Sequence, residues 1–129
     1  MPENLLLNKS LLFAARIVKL HKFLVKTYKE TVISKQILRS GTSIWANINE
    51  ANYGISKAEF IAKMQIAIKE TAETEYWIRL LQLSEYIKDE EYNSLLKDCL
   101  DIKNILTATL NTAKNNKWIW HLFYSKQTK

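Results

Sequence analysis

Two glycines and one proline are all that punctuate a chain of 129 residues. Average usage of about 7% and 5% would supply about nine glycines and six prolines. Little turn chemistry is therefore available. Sandwiches, barrels and most α/β folds need a turn about every 8–12 residues, so the shortage excludes them and predicts long helices with short connections. The length suits one domain with a real core. No stretch approaches the ~18 consecutive apolar residues of a membrane span. No basic n-region follows Met1, and the single cysteine, Cys99, rules out an internal disulfide. A cytoplasmic location is expected.

Periodicity places four helices. Phe13, Ile17, Leu20 and Leu24 recur at helical spacing, widened by Ala14, Val18 and Val25, and predict a first helix from about Ser10 to Tyr28 with Asn8 or Ser10 as its cap. Glu30 and Thr31 break the pattern. A second helix is predicted over Ser34 to Tyr53, its seam Ile37, Gly41, Ile44, Ile48 and Ala51. Ser40, Gly41 and Ser43 are poor helix formers, and a helix that keeps them is expected to approach a neighbouring backbone closely. Gly54 then reads as a glycine just past the helix end, and Ser56 with Glu59 as a capping box. The third helix, Lys57 to about Tyr86, carries Phe60, Met64, Ala67, Thr71, Thr74, Ile78 and Leu81 in a seven-residue repeat. The fourth, Glu90 to about Lys114, repeats Tyr92, Leu95, Cys99, Ile102, Leu106, Thr109 and Ala113. Glu59–Lys63, Lys69–Glu73 and Glu75–Arg79 are spaced for i, i+4 pairs. The predicted fold is all-α, an antiparallel up-down-up-down four-helix bundle over residues 1–116. Residues 117–129 form a separate aromatic and basic tail, with Trp118, Trp120, Phe123 and Tyr124 among lysines, expected to dock on a bundle.

The net charge of +6 is unevenly spread. Residues 1–49 carry +6, residues 50–101 carry −5 and residues 102–129 carry +5. Basic ends around an acidic middle fit either a nucleic-acid-facing surface or oppositely charged helices lying side by side. On the first helix Lys19, Lys22, Lys26 and Lys29 share one side, with Arg16 nearby, and these five are the candidate nucleic-acid contacts. An ordinary solvated face has the same look.

Catalytic chemistry finds little footing. A di-iron bundle needs Glu-x-x-His on two helices, but His21 is preceded at i−3 by Val18 and His121 by Trp118. No metal site and no cofactor are expected. Cys99 lies in an apolar seam, where a thiol acts as a small hydrophobe. Gly41 and Gly54 stand alone, without a phosphate-binding loop. His21 continues the Ala14–Val18–Val25 stripe as a hydrogen-bonded edge residue. The chain is expected not to be an enzyme.

A polar constellation stands out on the middle helices: Arg39, Ser40, Ser43, Asn47 and Glu50 on the second, Glu70 and Glu73 on the third. Glu70, Glu73 and Trp77 share a stripe with Ile66 and Leu80, so the carboxylates border apolar surface and call for partners such as Arg39. They are expected to form a structural network that sets helix register or subunit orientation; a ligand pocket is the alternative.

The strings Gln36-Ile37-Leu38-Arg39-Ser40-Gly41-Thr42-Ser43-Ile44, Ala46-Asn47-Ile48-Asn49-Glu50-Ala51, Lys57-Ala58-Glu59-Phe60-Ile61, Ile66-Ala67-Ile68-Lys69-Glu70 and Glu73-Thr74-Glu75-Tyr76-Trp77 resemble one bacterial family. That family is the four-helix-bundle ribosomal-RNA intervening-sequence proteins. It is similar to the accessory variability determinant of diversity-generating retroelements, a basic pentameric bundle that binds nucleic acid and a reverse transcriptase. The resemblance covers residues 36–81 closely and about 10–114 by helix length, and Trp45 departs from the small residue expected there. It implies a homo-oligomer, commonly a pentamer, without enzymatic activity, and RNA, DNA or a protein as possible partners. Its common-core positions here are Arg39, Ser40, Ser43, Asn47, Glu50, Glu70, Glu73, Glu75 and Trp77.

Overall fold

The structure is a computed structural model that describes residues 2–115, with side chains from Leu5 onward. Four helices follow one another: α1 (Pro2–Tyr28), α2 (Ile33–Asn52), α3 (Lys57–Leu83) and α4 (Asp89–Asn115). Connections of a few residues force successive helices antiparallel. Contacts join α1 to α2, α2 to α3 and α3 to α4, and more sparsely α1 back to α4, closing an up-down-up-down bundle. The expected aromatic tail lies outside the described residues.

The seven-residue repeat of α3 is fully buried from Phe60 to Leu81. On α4 the stripe runs through Leu110 rather than Thr109 before ending on Ala113; Thr109 is half-buried with its hydroxyl on the Ile105 carbonyl. Cys99 is completely buried, its Sγ donating to the Thr71 carbonyl at 3.5 Å. Burial pushes that thiol up to about 12, so it fills space as a neutral group.

The first helix begins well before Ser10. Leu6 extends the Phe13–Ile17–Leu20–Leu24 stripe by two turns and is 2% exposed, so its burial draws the preceding residues into the helix. Pro2 in the first turn lacks only an N–H that would have no partner. Ser10, far from capping anything, is buried mid-helix and donates to the Leu7 carbonyl at 3.2 Å. Asn8 likewise lies inside α1.

Glu30 was the cap that the pattern concealed. Its carboxylate accepts from the backbone N–H groups of Val32, Ile33 and Ser34, the last at 2.7 Å, while the Ser34 hydroxyl donates back to the Glu30 carbonyl. Burial works to raise the pKa of Glu30, but these donors outweigh it and hold the carboxyl below its ordinary value. At α3 the Ser56 hydroxyl accepts from the Glu59 N–H at 3.1 Å, whereas the Glu59 carboxylate reaches Ile55 N–H instead of completing the box on Ser56.

Left-handed backbone occurs at Lys29 (φ 57°) and Glu85 (φ 65°), not at a glycine. Each stands just beyond a helix end. Tyr86 N–H bonds the Leu81 carbonyl and Glu85 N–H the Gln82 carbonyl, the paired arrangement that stops α3 three residues before Tyr86. Gly54 serves closeness rather than handedness: an added Cβ would stand 3.1 Å from the Ala51 carbonyl and 3.3 Å from Phe60 N. Gly41 is tighter still, because its Cβ would meet Ile17 Cγ1 at 2.8 Å and Cγ2 at 2.9 Å.

Two stability changes of opposite sign are expected in urea unfolding. Glu85→Gly removes the left-handed strain and should stabilise by about 1 kcal/mol. Gly41→Ala should destabilise by about 1–3 kcal/mol through overpacking, although alanine is the better helix former. In an Ile17→Ala background that penalty should disappear.

Candidate nucleic-acid interface and the α2–α3 polar seam

Lys19, Lys22 and Lys26 of α1, with Lys29 just past its end, lie on the outward side. Lys19, Lys22, Lys26 and Lys29 are all exposed. Arg16 behaves differently, being turned toward α4, where Nη1 donates to Asp98 at 2.7 Å and to Ser94 Oγ at 3.0 Å and Nη2 reaches Glu91 at 3.3 Å. Its side chain is only 29% exposed. Of the five candidate cations, Arg16 is thus the helix-to-helix tie and the four lysines are the open charge. His21 sits at the α1–α2 edge with Nδ1 3.2 Å from the Ser34 carbonyl.

The polar residues of α2 and α3 divide into two groups. Arg39 crosses the seam, pairing with Glu70 at 3.0 Å and with Glu73. Hydrogen bonding to Glu70 raises the Arg39 pKa further, keeping the guanidinium charged. Ser40 crosses as well, its buried hydroxyl meeting that of Thr74 at 2.8 Å. Glu50 reaches Lys63 on α3 at 3.7 Å. Ser43 and Asn47 do not cross: Ser43 Oγ donates to the Arg39 carbonyl at 2.6 Å, and Asn47 Nδ2 to the Ser43 carbonyl at 2.9 Å. Both satisfy their own helix.

Glu75 belongs to another interface. It takes Arg79 at 3.0 Å along α3 and Lys103 of α4 at 3.1 Å. Partial burial works to raise its pKa, but hydrogen bonds from Lys103 and Arg79 outweigh that and hold it below the usual 4.5. Of the three spaced pairs on the third helix, Glu75–Arg79 forms, while Lys63 turns to Glu50 and Glu73 to Arg39. Trp77 lies half-buried with its ring 4.7 Å from that of Tyr76, and its buried Nε1 has no hydrogen-bond partner among the described residues. Spacing within one helix could suggest Glu75–Arg79, but the partners Ser94, Asp98, Thr74 and Lys103 lie across helices, where only the register of packed faces reveals them.

No three His, Cys, Asp or Glu side chains among the described residues group as a metal ion requires. No described helix is long and apolar enough to cross a membrane. The seam thus offers ion pairs and hydrogen bonds that join helices, and the outward side of α1 offers a row of exposed ammonium groups outside the ion pairs of the described residues.

Comparison with known proteins adds three findings. The family described as 23S rRNA-intervening sequence protein matches residues 3–108. A solved protein of unknown function from the S23 ribosomal protein family of Bacteroides thetaiotaomicron is similar at 54% identity and a TM-score of 0.85, over 87% of this chain and 100% of that one. No curated protein matches the chain.

Acid should act on the Glu75 ion pairs of the α3–α4 interface in a defined direction. The Glu75 pKa is depressed in the fold, so its stabilisation is complete above about pH 4.5 and is lost as pH falls through the folded value. Glu75→Gln should lower stability at neutral pH by about 1–2 kcal/mol and flatten this part of the profile. Urea unfolding at stepped pH checks it, and parallel curves for the two proteins would contradict it.

Proposed function

Since the chain belongs to the 23S rRNA-intervening sequence protein family, we propose that it is a cytoplasmic, non-enzymatic, oligomeric protein that binds the RNA or DNA backbone through one face of α1. The carrying observation is that Lys19, Lys22, Lys26 and Lys29 are exposed on one side while, among the described residues, the ion pairs are made by other cations. Arg16 holds α1 against α4 behind this row. About four phosphate contacts bind weakly at physiological salt, with log affinity falling by about 0.9 per contact per decade of salt on duplex DNA. Several copies, five in the pentamer that the resemblance implies, raise the effective concentration of the second and later contacts. Affinity should therefore depend steeply on salt and hardly on sequence.

A second reading, a structural or protein-interaction module, draws on the apolar side chains left outside. Leu5 is 50% exposed, Leu12 69% and Tyr76 55%. Such side chains are suited to contacts between subunits. The two readings differ in what the lysines do. With Lys19, Lys22 and Lys26 all changed to Glu, binding to ribosomal RNA should fall at least about tenfold at low salt while light scattering reports an unchanged particle size. Unchanged RNA affinity would overturn backbone binding and leave the interaction module.

A further inference from the structure

At the end of the bundle where α1 finishes and α3 turns into α4 lies an open groove of about 1100 Å³. Lys19, Phe23 and Tyr28 form its α1 wall, and Tyr86, Ile87 and Lys88 face them from the connection. The three aromatic rings meet in sequence. Tyr28 stands edge-on to Phe23 with centroids 5.8 Å apart, and edge-on to Tyr86 at 5.2 Å. Phe23 is nevertheless 44% exposed and Tyr28 48%. Fold stability alone gains little from rings left half in water.

The charges of the lining balance, Arg16, Lys19 and Lys88 against Glu85, Asp89 and Glu91, and the neighbouring lysines of α1 tip the surroundings toward an anion. Glu91 is taken by Arg16 at 3.3 Å, and Asp89 accepts from Gln82 at 2.9 Å. The Gln82 amide is neutral, so Asp89 keeps its charge, and it and Glu85, exposed on the turn, are the two lining carboxylates outside the described ion pairs. Lys19 and Lys88 are exposed on opposite walls, and Lys22 and Lys26 continue the positive row along α1 on either side of Phe23. Rings interleaved with lysines are the composition that binds single strands, because any base offers a flat face and every linkage a phosphate.

We infer that this groove seats an unpaired nucleotide of a single-stranded nucleic acid, with the base against the Phe23–Tyr28–Tyr86 corner and the flanking phosphates on Lys19 and Lys88. The inference rests on the proposed backbone contact of α1 and adds selectivity to it. In a duplex the bases are stacked on one another and cannot enter, so the same lysines hold a duplex by its phosphates alone.

The test uses the full chain and an unstructured RNA strand of about 12 nucleotides with one 2-aminopurine, alone and annealed to its complement. At one salt concentration the single strand should bind more tightly than the duplex, and 2-aminopurine fluorescence should fall on binding as the base stacks. Phe23→Leu keeps an apolar contact but removes the ring, and should weaken the single strand about tenfold while leaving the duplex unchanged. Lys88→Glu, at an exposed position away from the core, should do likewise, and Glu85→Gln should tighten the single strand. Equal affinity for both forms, with Phe23→Leu and Lys88→Glu silent while the α1 lysine reversals still abolish binding, overturns the groove and leaves the proposed function standing. No binding of either form overturns both.

Discussion

A methyl group on Gly41 would stand 2.8 Å from Ile17 Cγ1, so α1 and α2 can pack as they do only because that methyl is missing. Ser40, the preceding residue, faces the other way and meets Thr74 of α3 at 2.8 Å through two buried hydroxyls. Two adjacent small residues thereby set the distance from α2 to both its neighbours. A larger side chain at either position would separate a pair of helices, and interiors packed at crystal-like density do not absorb such a shift locally. The poor helix propensity of Ser40 and Gly41 is the local cost of this closeness.

The bundle closes differently on its far side. Between α1 and α4 the packing is sparser, and Arg16 joins them by reaching Glu91, Ser94 and Asp98. The segregation of charge along the chain has this spatial meaning in part: the basic first segment and the acidic middle lie side by side where Arg16 meets its carboxylates. The same holds for Arg39 with Glu70 and Glu73, and for Lys103 of the basic last segment with Glu75. Much of the acidity between residues 50 and 101 is thus consumed internally. Net charge by itself would have concealed both facts.

Helix number, order and the buried stripes were legible because period 3.6 is written into one strand of sequence, and the heptad of α3 matches its buried residues one for one. The ends were less legible. Glu30 is not a usual cap residue, yet three backbone donors converge on it because the connection before α2 is so short. Lys29 and Glu85 take the left-handed conformation that glycine favours, while Gly54 does not use it. The scarcity of glycine reflects that substitution: among the described residues the chain accepts strain at Lys29 and Glu85 and reserves both glycines for close contact. In the polar seam, residue types identified the right helices but not the partners. Ser43 and Asn47 satisfy their own carbonyls, a choice that depends on which neighbour comes within about 3 Å and so on packing rather than spacing.

Whether the α1 lysines need a binding explanation depends on where each stands in the helix. Lysines near a helix C-terminus are stabilised by the partial negative charge there, an effect confined to the last turn. Lys26 occupies that turn and Lys29 the residue beyond the end of α1. Helix electrostatics accounts for both. Lys19 and Lys22 lie more than one and a half turns from the end, outside the last turn to which that field is confined, and on the outward side where no carboxylate of α4 is drawn to them among the described ion pairs. Burying their stems gives the core nothing, since both remain exposed. The case for an external anion therefore rests on Lys19 and Lys22 more than on the row as a whole, and Lys19 is the one that also borders the aromatic groove.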